Sequence, residues 1–386
     1  MKISVALRAK FHGFNLAQQL LNRKALSFLY TSFYGNFLGK DNSIGFSIPE
    51  LHIKTNLISA ILTYGIKPKN QLLSYEYFGN WVAKNIQDED LIITWGLSAL
   101  PIIEKAKKLK ILTVVERGSS HATFQRDILL AENEIWGVTS KDLLRSFSSE
   151  RMERELLEYK EADFISIPSD FVKRTFIENG IAEEKLIKIP YGVDLTQFYP
   201  MKKQDDIFRI IFVGGIRLRK GVQYLLKAFS ELKLEKSELW LVGGIMPDIK
   251  GVLEKYEGSF KYFSPVPQGD LRNLYSQASL FVICSIEEGM AMVLPQAMAC
   301  GLPVICTTNS GGEDLIEDGK EGYIIPIRDI DALKERILFL YNNRDLCSEM
   351  GNAARLKVQS GLTWDDYGHK IFEKYSNIIL KNSQGV

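Results

Sequence analysis

Short apolar runs alternate with longer amphipathic stretches along almost the whole chain, and this alternation predicts parallel sheets covered by helices on both faces. Five runs in the first half read as strands: Lys2 to Leu7, Ala25 to Thr31, Asp90 to Trp95, Ile111 to Glu116 and Phe164 to Ile167. The second half repeats the rhythm at Arg209 to Gly214, Glu238 to Gly243, Ser279 to Cys284, Pro303 to Thr307 and Gly322 to Pro326. Two doubly wound α/β sheets are therefore expected. Between them, Ile189 to Lys203 holds Pro190, Gly192 and Pro200 and runs into the polar stretch Lys202 to Asp206, content that few helices or strands survive. The linker is placed near residues 190–206. Beyond Leu333 the pattern is helical, and Trp364, Tyr367, Ile371, Phe372 and Tyr375 recur at helical spacing.

A chain of 386 residues agrees with two domains, because single cores stop growing beyond about 250 to 300 residues. Hydrophobic residues at 46% and charged residues at 25% describe an ordinary globular protein. Lys plus Arg number 48 against 47 Asp plus Glu, so no overall field favours nucleic acid and any anion site is local. Cys284, Cys300, Cys306 and Cys347 show no CxxC spacing and read as buried free thiols, which suits a reducing cytoplasm. No secretory leader is expected at Met1 to Arg8. The most apolar stretch, Leu91 to Ile103, is interrupted by Thr94, Gly96, Ser98 and Pro101. It falls short of the roughly 20 residues a spanning helix needs.

The segment Ser285 to Gly301, SIEEGMAMVLPQAMACG, lies between two of the expected strands and reads as a loop followed by a helix. Gly289 lets the backbone approach a ligand closely, Pro295 suits a first helical residue, and Gly301 falls where the helix ends. Free backbone N–H groups at such a helix start, with the helix dipole, suit a phosphate.

These residues resemble the retaining glycosyltransferases of family 4, the group 1 glycosyl transferases, which have the GT-B fold. The family motif is a pair of acids flanking seven residues; Glu288 matches the first acid and Gln296 occupies the second. The resemblance implies that Glu288 lies beside the donor sugar and that Gln296 meets the ribose hydroxyls without a charge. Three more segments fit in the same order: Ile189 to Pro200, Ile211 to Phe229, and Thr308 to Ile316. In the second of these the family supplies an arginine and a lysine to the donor diphosphate. Lys220 matches the lysine, while Gly215, after Gly214, sits where the arginine is usual, leaving Arg217 or Arg219 to reach the phosphate. Gly289, Met290, Ala291 and Met292 are expected to present their N–H groups to the same diphosphate.

The resemblance further implies residues 1–192 as an acceptor-binding domain, residues 193–363 as the nucleotide-sugar domain, and a final helix, 364–382, that crosses back to the first. Two strand-end loops stand out there: Phe11-His12-Gly13-Phe14 and Glu116 to His121. By resemblance His121 approaches the donor sugar, with Lys220 and Glu288 as its catalytic company, and Gly13 lies near the diphosphate. His12, Arg117 and Ser119 are placed on the acceptor side. The acidic run Asp88-Glu89-Asp90 looks like a metal motif, but it precedes a strand and so falls at the amino edge, where a solvated turn is expected. No metal or cofactor is required, since protein cations meet the phosphate charge and the nucleotide sugar is a substrate. The expected partners are that donor and a glycan or lipid-linked glycan acceptor, with peripheral contact at the inner membrane surface. The competing readings are a sugar-nucleotide epimerase of similar architecture and a relative that binds the donor without turning it over.

Overall fold

The computed structural model describes residues 1–9, 12–32, 34, 36–37, 40–41, 46–65 and 72–384. Strands β1 (Ile3–Leu7), β2 (Leu26–Thr31), β5 (Ile53–Thr55), β6 (Leu91–Trp95), β7 (Leu112–Glu116), β8 (Phe164–Ile167) and β9 (Leu186–Lys188) form the first sheet. A small antiparallel hairpin, β3 (Asn36–Phe37) with β4 (Lys40–Asp41), stands outside it. The second sheet comprises β10 (Phe208–Val213), β11 (Ser237–Val242), β12 (Lys261–Phe263), β13 (Leu280–Ile283), β14 (Val304–Thr307) and β15 (Gly322–Ile325). The orders are β5-β2-β1-β6-β7-β8-β9 and β12-β11-β10-β13-β14-β15, and every pairing within them is parallel.

All ten expected strands form within a residue or two of their expected ends. Besides the hairpin, the strands left unread, β5, β9 and β12, are three-residue strands at sheet edges. Pairing on one side only and half-exposed, they carry too few apolar positions to show a period. Order reverses beside β1 in the first sheet and beside β10 in the second, and in such sheets ligands bind outside the carboxyl ends at that switch. The loops after β1, β6, β10 and β13 are therefore the ones that matter.

The helix Trp364–Ser383 starts with a reciprocal cap between Thr363 and Asp366. It packs on the helix Gly13–Asn22 of the first lobe, where Arg23 Nη2 donates to the carbonyl and carboxylate of Asp365 at 2.8 Å. The outward crossing at Val193 runs beside the return crossing, its N–H donating to Leu362 O at 2.9 Å.

The lobes also touch at several polar points. Glu132, fully buried on the helix Ala122–Ile135, accepts from Gln223 Nε2 at 2.8 Å, Tyr224 Oη at 2.7 Å and Arg328 Nε at 2.8 Å, all from the second lobe. Arg174 pairs with Glu313 at 2.7 Å and Lys188 with Asp314 at 2.7 Å.

The acidic run lies at the amino edge of the first sheet. Asp88 meets Lys2 Nζ at 2.5 Å and Asp90 accepts the Lys2 N–H at 2.6 Å. Glu89 departs from the solvated turn expected: it is buried and accepts from Ser4 Oγ at 3.0 Å and Tyr30 Oη at 3.1 Å. Among the described residues no group of three or more His, Cys, Asp or Glu is placed to hold a metal ion, and no helix is long and apolar enough to cross a membrane.

Candidate functional site

β10 ends in a loop that tightens into the turn Leu218–Lys220 and enters the helix Val222–Leu232 through Gly221. Gly221 has φ +67°, and a Cβ there would lie 2.5 Å from the Cys284 carbonyl carbon, so only glycine fits. That approach joins the loop to the one after β13, where Ile286 N–H donates to Arg219 O at 2.9 Å. The two loops thus deliver Lys220 Nζ onto the Glu288 carboxylate as an ion pair. Burial, reinforced by Arg219 and Arg217 and opposed by Glu287, pushes the Lys220 ammonium down to about 7.

Glu287, which the motif passes over, is the most heavily bonded carboxylate here. It is fully buried and accepts from Ser120 N–H at 2.9 Å, Ser120 Oγ at 2.7 Å and Gln125 Nε2 at 2.8 Å, and it ion-pairs with Arg219, whose Nε lies 2.9 Å from the carboxylate and donates to the Glu287 carbonyl. Burial works to raise its carboxyl, but Arg219 with the Gln125 and Ser120 donors more than offsets this and holds it below its usual range. Arg219 also reaches Ser119 Oγ at 3.4 Å. Of the two arginine candidates Arg219 is therefore the one at the site. Arg217 lies toward Asp248, its Nε 3.8 Å from the carboxylate. Gly215 has open space around its Cβ position, with Arg217 Cδ nearest at 3.9 Å, and Gly214 N–H donates to Val242 O at 2.9 Å.

The loop after β13 is braced by the one after β14: Glu288 N–H donates to Asn309 O at 2.9 Å and Ala291 N–H to Ser310 O at 3.2 Å. The Ala291 N–H is thus spent inside the protein, a correction to the expected set of phosphate donors. Met290 is buried, its Sδ accepting the Tyr191 N–H at 3.3 Å, and Met292 caps the helix Val293–Ala299. Gln296 is buried within that helix, and its amide oxygen lies 3.5 Å from Tyr275 Oη.

Gly289 meets the first lobe directly. A Cβ there would lie 2.6 Å from the Gly118 carbonyl carbon, and its own carbonyl accepts from Ser169 Oγ at 2.6 Å. Gly289→Ala is expected to hold the lobes apart. Small-angle scattering would read a larger radius of gyration with unchanged helical content. A profile identical to wild type would show that this contact does not set the lobe spacing.

Several first-lobe residues take roles other than those expected. Phe11 lies outside the described residues. Gly13 opens the helix Gly13–Asn22, where a Cβ would come 2.5 Å from Trp95 Cη2, so its smallness serves packing rather than a phosphate loop. His12 is buried between the Trp95 and Tyr191 rings, with Nε2 3.3 Å from Glu116 Oε2, rather than open to an acceptor. Arg117 is likewise withdrawn: it pairs with Glu155 and donates to Ser120 O at 3.1 Å and Gln125 Oε1 at 2.9 Å. Its cation shapes the loop that reaches Glu287. His121 caps the helix Ala122–Ile135, Nδ1 accepting the Thr123 N–H at 3.3 Å, and its ring packs on Tyr159 and Phe176. Burial and Arg117 push it down to about 4, so it stays neutral, and no hydrogen bond or ring contact joins it to Lys220 or Glu288.

Two lobes built on parallel sheets, with a cation and carboxylate cluster at the carboxyl edges between them, define a GT-B protein. Residues 196–357, in the second lobe, match the family model described as Glycosyl transferases group 1. The whole chain is similar in fold to the sucrose-phosphate synthase of Thermosynechococcus elongatus (TM-score 0.78, 19% identity, covering 98% of this chain and 99% of that one). It is also similar to Anabaena HepE, solved with UDP and glucose (TM-score 0.69, 17% identity, 98% and 100%). In sequence it resembles WcaL of Escherichia coli (strain K12), named for colanic acid biosynthesis, with 26% identity over 237 residues, 58% of this chain and 57% of that protein. CapM of Staphylococcus aureus, named for capsular polysaccharide biosynthesis, is 25% identical over 250 residues, 58% of this chain and 63% of that protein. The match thus spans less than two thirds of either relative.

Proposed function

We propose that this protein is a glycosyltransferase that moves a hexose from a UDP- or GDP-sugar to an acceptor hydroxyl, with retention of anomeric configuration, during assembly of a surface polysaccharide or lipid-linked glycan. One observation carries the reading: Lys220, Arg219 and Glu288 converge at the carboxyl ends of β10 and β13, inside a group 1 glycosyl transferase domain. Lys220 and Arg219 would stabilise charge growing on the leaving diphosphate, the way preorganised cations lower a barrier. The diphosphate would take Lys220 from Glu288, freeing that carboxylate beside the sugar. Gln296 would turn its amide to the ribose. The reading assigns the phosphate charge to these cations and to no metal ion. Work at the inner face of a membrane, as a peripheral protein of the cytoplasm, belongs to the same proposal, and the polysaccharide pathways in which WcaL and CapM are named support it.

Thermal unfolding with UDP, GDP, ADP and their sugars tests the donor class. One nucleotide at a hundredfold excess over its Kd is expected to stabilise the protein by about 2.7 kcal/mol. No shift with any of them overturns the reading. A second outcome follows from the lowered Lys220. Burial loosens the hold of this ammonium on its proton in the free protein, and an arriving diphosphate strengthens it again, so binding at pH 8 favours proton uptake. Calorimetry at that pH should give binding enthalpies that differ between HEPES and Tris buffers; equal enthalpies would count against Lys220 as the diphosphate ligand.

A further inference from the structure

A second group of cations lies at the carboxyl edge of the first sheet and has no part in donor binding. Arg8 follows β1 directly; its Nη1 donates to Ser74 Oγ at 2.6 Å, and its guanidinium lies 3.7 Å from the centre of the Tyr75 ring. Arg151, in the first turn of the helix Ser149–Glu161, stands 5.8 Å from the same ring. Arg154 follows three residues on, a spacing that shares a helix face. Among the described residues four buried nitrogens of this trio have no hydrogen-bond acceptor: Arg8 Nε, Arg151 Nε, Arg154 Nε and Arg154 Nη2.

The nearby carboxylates are committed elsewhere. Glu155 is held by Arg117. Glu158 accepts the N–H groups of Leu97 at 2.6 Å, Ala99 at 2.9 Å and Leu100 at 3.1 Å, and stands 3.7 Å from Arg154 Nε. Burial pushes it up to about 7 despite those donors, which weakens it as a counter-ion. Among the described residues no carboxylate pairs with Arg8 or Arg151. Buried charged donors without acceptors are costly, and folded proteins keep few of them.

Position supplies the second argument. β1 and β6 flank the order reversal of the first sheet, where ligands of such sheets bind. Arg8 leaves β1 at that point, and the Glu158 bonds pin the helix Ser149–Glu161 over the loop after β6. The chain of contacts from Glu155, beside Arg154 on the same helix, through Arg117 and Ser120 ends on Glu287, so the helix that carries Arg151 and Arg154 is tied to the donor cluster.

We propose that Arg8, Arg151 and Arg154 hold a phosphoryl group carried by the acceptor. This rests on the transferase reading and names its acceptor class. Guanidinium groups offer paired, planar donors that match phosphate oxygens, and three of them suit a doubly charged phosphoryl better than a single carboxylate. The acceptor is then a phosphorylated saccharide, either a soluble sugar phosphate or a glycan on a lipid phosphate.

Calorimetry of inorganic phosphate into Lys220→Ala reads this site with the donor site disabled. One saturable site is expected, weakened at least tenfold by adding Arg151→Gln or Arg154→Gln, each chosen because neither makes the Ser74 bond that Arg8 does. Absence of saturable binding, or affinity within twofold in both variants, overturns the proposal. Glucose 6-phosphate and farnesyl-diphosphate-linked N-acetylglucosamine are then offered as competitors. Displacement by one of them assigns the source, and displacement by neither overturns the proposal. UDP binding to wild-type protein and to Arg151→Gln should match; failure of UDP to bind either would strike the donor reading instead.

Discussion

Glu287→Ala is expected to destabilise the protein by about 3 to 5 kcal/mol, the usual cost of removing one partner from a buried ion pair. The carboxylate is fully buried, receives three hydrogen bonds, two from Ser120 and one from Gln125, and ion-pairs with Arg219. Truncation leaves the Arg219 cation facing donors of its own sign, and frees the loop of the first lobe that carries Ser119. Glu287→Gln keeps the shape but not the charge and should cost less while still loosening Arg219. Denaturant unfolding of both variants checks this. Equal stability of Glu287→Ala and wild type would mean that water replaces the lost carboxylate.

Lys220→Ala should lower kcat/KM by roughly 10- to 150-fold, from losing about 1.5 to 3 kcal/mol of charged hydrogen bonding at the leaving group. The same change relieves a desolvated ammonium but leaves the Glu288 carboxylate without its partner, so the two effects oppose and stability should move far less than turnover. That difference separates a catalytic cation from a structural one. A variant within twofold of wild type in turnover would remove Lys220 from the reaction.

The fold of the second lobe was legible because its signals are local. Lys220 and Glu288 each sit in a short segment whose glycine, strand and helix signals fix the backbone, and the two segments follow strands that lie side by side. The first lobe misled in an instructive way. His12, Arg117 and His121 stand in strand-end loops, which is where ligands are met, yet each ring or guanidinium turns inward because a buried partner waits there: Glu116, Glu155, or the Tyr159 and Phe176 rings. Nothing within a few residues of His121 announces Tyr159 or Phe176. Glu287 escaped notice for the same reason, since its donors Ser120 and Gln125 lie more than 150 residues away, at separations of 167 and 162. Asn309 and Ser310 act through carbonyls, which no side-chain pattern records.

The meeting of the lobes around Glu132 has a thermodynamic corollary. Its oxygens take donors from Gln223, Tyr224 and Arg328 rather than apolar surface, and every one of these groups is well served by solvent once parted. Parting the lobes there would swap those bonds for hydration, which lowers heat capacity, while uncovering the Trp136 and Tyr224 rings that pack across the same seam raises it, so the two contributions oppose.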